Sequence, residues 1–329
     1  MSEEINSRNG RRSFLAALLG VGATGFAAGI SAADRSSGLG QFAKLAGKDI
    51  CLSPSSLITS DLDPSKLPQD LTLVGSRLLK LGFLDEIVRV YEGQSGNPVK
   101  IIGGGCDDGL IAARLGKAHI GELCCPVKGS PAEGMCWLPV AQDIKLVLTT
   151  PDNPINNVRL TDLRRIMMGD IRNWREVGGE DRPIALIVHN HCPSYLEPVR
   201  TTLIDKGRTW SRHAMRSNTD SDHLRHLARF RYSIGVDSGV LAMPYIRNGQ
   251  LKALHVDGVE PSLKNLGAGT YPLGGPLNLI YAIWVEEKMR PFLDFLYSPE
   301  ATRIIARNAV PVGSMQANKI GHAPDYLAS

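Results

Sequence analysis

The residues able to do chemistry fall in three short stretches. The first is Gly75-Ser76-Arg77. The second runs Gly103-Gly104-Gly105-Cys106-Asp107-Asp108-Gly109 and is followed downstream by Cys124-Cys125-Pro126. The third is His189-Asn190-His191-Cys192-Pro193-Ser194-Tyr195. Glycine turns that enter a helix bring backbone N–H groups close to a small ligand and suit an anion. The side chains set in these turns are thiols, imidazoles and acids, and thiolate and imidazole favour a thiophilic centre. Cys192 as nucleophile with His189 or His191 as base would make an enzyme. That arrangement lacks an orienting third group and an oxyanion site, so binding rather than catalysis is expected. A zinc site from Cys106, Cys192 and a histidine needs three or four ligands in tetrahedral array; neither a metal nor an organic cofactor is expected.

The elements that must position these stretches read as an α/β chain. Residues 71–74 form a strand, 78–91 carry apolar residues at helical spacing, 99–102 form a strand, 110–115 a helix, and a short strand ends at Cys124-Cys125. Strand–helix–strand–helix–strand is the pattern of a parallel sheet with helical crossovers. Further strands are expected at 145–149, 184–188, 231–236, 251–256 and 277–284. Helices are expected from a cap at Thr161 to Met168, at 195–206, at 289–297 and after Ser298-Pro299-Glu300. Asp220, Asp222, His223 and His226 read as a solvated helix face, and Trp137 and Trp174 as packing residues. Cys124 and Cys125 are adjacent, so only one of them is expected to face a ligand.

The chain has 329 residues, with 43% hydrophobic and 21% charged residues and a net charge of +4. That is globular, enough for about two domains, and without the dense basic stripe that nucleic acid would need. Arg11-Arg12-Ser13-Phe14-Leu15 opens a weakly apolar run that ends near Ser31-Ala32-Ala33. Twin arginines before such a run read as a bacterial twin-arginine export signal over residues 1–33. Its removal takes three arginines and two glutamates, leaving 34 basic against 31 acidic residues, or +3. A soluble, monomeric periplasmic protein is expected. Export places Cys51, Cys106, Cys124, Cys125, Cys136 and Cys192 in an oxidising compartment, where disulfides form; spacing cannot pair them. Cys51 and Cys136 are most simply structural, and a bond from Cys192 to Cys106 or Cys124 would lock the site.

Several stretches, in order, resemble the phosphate-binding family of periplasmic substrate-binding proteins. They are Leu73-Val74-Gly75-Ser76, residues 103–109 with Ala118-His119-Ile120-Gly121, Pro151-Asp152-Asn153-Pro154, residues 160–179, Ile234-Gly235, and residues 254–261, 270–277 and 298–311. The resemblance implies a two-domain, type II periplasmic binding protein fold with the ligand cleft at a two-strand hinge. Domain one would combine residues 34–143 with 250–329, and domain two would be 144–249. It also implies a small oxyanion ligand and an ABC permease as partner.

The binding loops depart from that family. Ser76 and Arg77 can still donate, but Cys106 stands where the family has serine in the Gly105 turn, beside Asp107 and Asp108. Cys124 ends a strand that usually carries serine and a basic residue. His189 aligns with the family arginine, and Cys192-Pro193-Ser194-Tyr195 replaces a Gly-Ser-Gly-Thr turn. A thiol is a weak donor, proline has no N–H, and like charges about 4 Å apart cost roughly 4 kcal/mol at an effective dielectric near 20. Phosphate loses by each change. Arsenite, neutral As(OH)₃ near pH 7, tolerates the aspartates and can exchange a hydroxyl for the Cys106 thiol. In this the chain resembles periplasmic arsenite-binding sensors that signal to a membrane histidine kinase. The expected ligand contacts are Ser76, Arg77, Gly105, Cys106, Asp107, Asp108, Cys124, His189, Cys192 and Ser194.

Overall fold

A computed structural model describes residues 67–189, 197–282 and 285–312. The segment expected to be an export signal and Cys51, together with 190–196, lie outside them. Strand β1 (Leu71–Ser76) is buried throughout and pairs in parallel with β2 (Val99–Gly104) and β3 (Ile120–Leu123). Helix α1 occupies residues 77–95, longer than its apolar spacing predicted, and includes a π-helical stretch over Lys80–Leu84. Its start is fixed by Ser76, whose Oγ accepts from the Leu78 amide at 3.2 Å. Helix α2 (Cys106–Arg114) follows β2.

The parallel pattern expected from the first half is only part of the sheet. Strand β10 (Gly274–Tyr281) runs antiparallel between β3 and β4 (Cys136–Thr149). Strand β4 extends well beyond the five residues expected of it. All fourteen of its residues are buried, because its first part pairs with β10 and its last part with β8 (Ser233–Ser238) and β9 (Lys252–Val256). Beyond β8 lie β6 (Ala185–His189) and β7 (Met215–Ser217), joined in parallel.

Two hydrophobic clusters sit along this sheet. One gathers Leu73, Leu79, Phe83, Ile87, Leu279 and Phe292, with a satellite around Cys106, Leu110, Cys125 and Trp137. The other gathers Val147, Leu163, Trp174, Leu227, Ile234 and Val236. Leu251, Leu254, Val256, Leu266, Tyr271 and Leu273 pack into the second cluster, although the sequence put them with the first. Leu254 and Val256 lie in β9, which pairs with the far end of β4 rather than with the first-half strands. Both tryptophans are packing residues as expected, and Trp174 Nε1 donates to the Tyr232 carbonyl at 2.9 Å.

Some predicted boundaries move. The helix expected to be capped by Thr161 begins at Leu160 after Arg159, and Thr161 lies inside it. The helix expected over 195–206 is Pro198–Leu203, capped by the Glu197 carboxylate. The cap at Ser298 with Pro299 in the first turn is present, with Ser298 Oγ accepting from the Ala301 amide.

Glycine makes one contact of this fold possible. A Cβ on Gly109 would sit 2.6 Å from the Val74 carbonyl oxygen and 2.9 Å from the Glu122 amide. Helix α2 therefore lies directly on the backbones of β1 and β3. Glu122 is sealed at this junction, with no hydrogen-bond partner for either carboxylate oxygen among the described residues. Burial pushes its pKa up to about 8, Lys80 offsetting part of the effect and Asp85 adding to it. His119, three residues before Glu122, is held neutral: burial, then Lys288, lower its pKa to about 4, and its Nδ1 accepts from the Thr72 amide at 3.1 Å.

Glu122 thus holds a proton in the folded state that the unfolded chain releases above its ordinary value of 4.5, so stability falls as pH rises from there to about 8. His119 acts in the opposite sense, costing stability as pH falls from 6.5 towards 4. Above 6.5, where His119 no longer contributes, Glu122 and His189 are both raised and both tilt the curve down as pH rises. In urea unfolding between 6.5 and about 8, Glu122→Gln is expected to flatten the slope by up to about 1.4 kcal/mol per pH unit. An unchanged slope in the variant would place the titrating group elsewhere.

Candidate functional site

A cleft of about 440 Å³ opens at the middle of the sheet, where β4 passes from one hydrophobic cluster to the other. Eight of the residues expected at the site line it: Ser76, Arg77, Gly105, Cys106, Asp107, Asp108, Cys124 and His189. The other two, Cys192 and Ser194, fall outside the described residues, as does His191.

One wall is the start of helix α2. Gly105 is its N-cap and Cys106 its first residue, 3% exposed. The helix N-terminus would offer donors to an anion, but the Gly105 amide donates to Asp108 Oδ2 at 2.8 Å. Asp107 and Asp108 thus place negative charge inside the chain at the point where the helix dipole favours it. Strand β3 stops at Leu123, and the chain bends at Cys124 and Cys125. The expectation that only one of these two faces the cleft came from the alternation of an extended strand. The bend removes that alternation, and both line the cleft. Asn278, buried in β10, holds the bend by donating to the Cys125 carbonyl at 2.9 Å.

Cys106, Cys124 and Cys125 stand as thiols, and Cys136 is disulfide-bonded. The disulfide expected from Cys106 or Cys124 to Cys192 falls on a residue outside those described. The Sγ atoms of Cys106 and Cys124 are 3.2 Å apart, and the Cys124 amide points at Cys106 Sγ from 3.3 Å. With Cys125, the three sulfurs lie within 4.8 Å of one another.

The floor is β4. Lys145 Nζ meets Asp143 Oδ2 at 2.9 Å, and Asp143 Oδ1 accepts from Ser238 Oγ at 2.9 Å. Burial alone would lower the lysine pKa; the carboxylates of Asp143 and Glu197 and the Cys124 sulfur together raise it, so the ammonium stays charged. The opposite wall carries His189, with Nε2 3.4 Å from Asp237 Oδ2 and Nδ1 3.9 Å from Asp220 Oδ1. Burial works against its charge, but Asp237, Asp220 and Glu197 outweigh it and raise its pKa. Its ring stacks on His223 with centroids 3.8 Å apart.

His223 corrects the reading of its helix as a solvated face. It is fully buried with Leu224 and Leu227 on the inner side of the helix Asp220–Arg229. The 3.6-residue spacing of these three held that signal, and the charged residues around them masked it. Sequence reasoning also missed Asp143 and Lys145. Their signal was two charges two residues apart in an apolar strand, which puts both on one face. Nothing local marked Asp237 or Glu197 as cleft residues.

The described lining carries five carboxylates, Asp107, Asp108, Glu197, Asp220 and Asp237, against Arg77, Lys145 and His189. Lys145 and His189 are already engaged by acids. A dianion would enter against this field, whereas a neutral hydroxyl-bearing solute would meet both donors and acceptors.

A sequence profile described as a PBP superfamily domain matches residues 60–300. The phosphate-binding protein PstS of Bacillus subtilis (strain 168) is 24% identical over 259 residues, which cover 77% of this chain and 84% of that protein. The fold is similar to that of a putative phosphate ABC transporter substrate-binding protein with bound phosphate from Clostridium perfringens. There the TM-score is 0.65 at 21% identity, covering 74% of this chain and 100% of the other. An ABC-type phosphate transport receptor from Vibrio cholerae is similar with a TM-score of 0.59, at 21% identity and over 74% and 100% of the two chains. The type II periplasmic binding protein fold expected from the sequence is thus borne out.

The buried pair on β4 makes a stability prediction. Lys145→Met strands Asp143 in the core and is expected to cost about 3–5 kcal/mol in urea unfolding, whereas Asp143→Leu with Lys145→Met recovers most of that loss. A single variant as stable as the parent would show that the pair does not hold the crossing strand.

Proposed function

The chain belongs to the PBP superfamily, and from that premise we propose that it is an exported solute-binding protein whose cleft captures arsenite and signals to a membrane histidine kinase. The observation that carries this reading is the sulfur-lined turn. Cys106 stands in the glycine loop with a second thiol 3.2 Å away, and Asp108 takes up the amide of Gly105. As(OH)₃ exchanges a hydroxyl for the Cys106 thiol, and its other hydroxyls find Asp107, Asp108, Ser76 and Arg77. Cys124 and His189 complete the contacts, with Cys192 and Ser194 assigned from sequence alone. The two hydrophobic clusters are the two lobes, and closure about β4 would be the change that a partner reads. Their boundaries follow the sequence division at 143 and 250, adjusted so that the segment after 250 which fills the second cluster belongs to that lobe. The twin-arginine segment delivers the protein to the periplasm as a monomer. No helix of the described residues is long and apolar enough to cross a membrane.

A second reading is the phosphate- or oxyanion-binding component of an ABC importer. The names of its relatives favour it, as do Ser76, Arg77 and Lys145 in the cleft. Calorimetry of the reduced mature protein separates the two. Arsenite is expected to bind at micromolar or better affinity, arsenate and phosphate much more weakly. Cys106→Ser is expected to weaken arsenite by at least about 100-fold, or about 2.7 kcal/mol. Phosphate binding with no arsenite heat would overturn the thiophilic reading and favour the importer.

A further inference from the structure

We propose that Cys106, Cys124 and Cys125 together form a trigonal three-sulfur site that holds a trivalent metalloid entirely from one wall of the cleft. The inference rests on the arsenite reading above but changes its chemistry from one thiol with hydrogen-bonded hydroxyls to three thiols and no hydroxyl.

The geometry supports it. Two sulfurs bound to one centre at about 2.3 Å and at near-right angles lie about 3.3 Å from each other. Cys106 and Cys124 Sγ are 3.2 Å apart, and Cys125 Sγ falls within 4.8 Å of both. The bend after β3 turns two consecutive cysteines to the same side, and Asn278 fixes it through the Cys125 carbonyl. Trp137, Leu110 and Ile280 pack in one cluster with Cys106 and Cys125, the two buried members of the three.

Cys106 opens helix α2 beside Asp107 and Asp108, and the Cys124 amide is directed at its sulfur. The Lys145 ammonium acts on Cys124. The overall step is As(OH)₃ plus three Cys–SH giving As(S–Cys)₃ plus three waters. Three As–O bonds and three S–H bonds break, three As–S bonds form, and each thiol proton leaves on a departing hydroxyl. The oxidation state of arsenic does not change.

All three sulfurs come from the residues around α2 and β3. Capture is then complete before closure, and the wall bearing His189 and Asp237 acts as a cover. This differs from a cleft in which both lobes must supply ligands to an anion.

The test is X-ray absorption at the arsenic edge on the reduced, mature wild-type protein loaded with arsenite. Three As–S contacts and no As–O contact are expected. One sulfur with two oxygens would overturn the three-sulfur site and leave the arsenite reading standing. Absence of retained arsenic would overturn the arsenite reading itself. Cys125→Ser and Cys125→Ala, each checked for folding by circular dichroism, are expected to lose at least about tenfold in affinity and to show two sulfurs with one oxygen. An unchanged affinity in a folded Cys125 variant would exclude that thiol. The wild-type spectrum decides the question even if neither variant folds.

Discussion

The contact of helix α2 with the backbones of β1 and β3 sets the rest of the site. It requires a residue without a side chain at 109, because a Cβ there would reach within 2.6 Å of the Val74 carbonyl oxygen. This approach brings the first residue of α2 down to the end of β3, where Cys106 meets Cys124. A helix one side chain further out would move Cys106 away from Cys124 and lose this contact. The glycine-rich turn therefore serves helix packing as much as ligand access.

The same junction shows how the chain distributes charge. Acids appear where an anion-binding protein would leave donors exposed: Asp108 on the Gly105 amide, Asp237 and Asp220 around His189, Asp143 on Lys145. Each satisfies a nearby donor or cation from within the chain. The backbone frame of an anion cleft is kept while much of its positive potential is cancelled internally. Such a cleft opposes a dianion more than a neutral hydroxyl-bearing solute.

Strand β4 links the two hydrophobic clusters. It belongs to both hydrophobic clusters, and its buried ion pair lies where it crosses between them. Asp143 accepts from Ser238, which caps the helix Gly239–Arg247, so the floor of the cleft is tied to the strand β8 and the helix that follows it. A buried pair of this kind adds little net stability, but losing either partner is costly.

By itself the sequence determined the fold class, the order of the elements and most of the loops that meet at the cleft. Those features rest on local patterns: apolar periodicity, glycine turns and helix caps act over a few residues and are written in consecutive letters. The tertiary structure alone decided that Cys124 and Cys125 both turn inward, since a bend after β3 suspends the alternation of a strand. It decided that His223 is buried against His189, that Asp143 and Lys145 form the floor, and that the segment after residue 250 joins the second core. These depend on contacts between residues far apart in the chain. Burial and charge pairing across such distances come from how the strands are ordered, and no local pattern encodes that order.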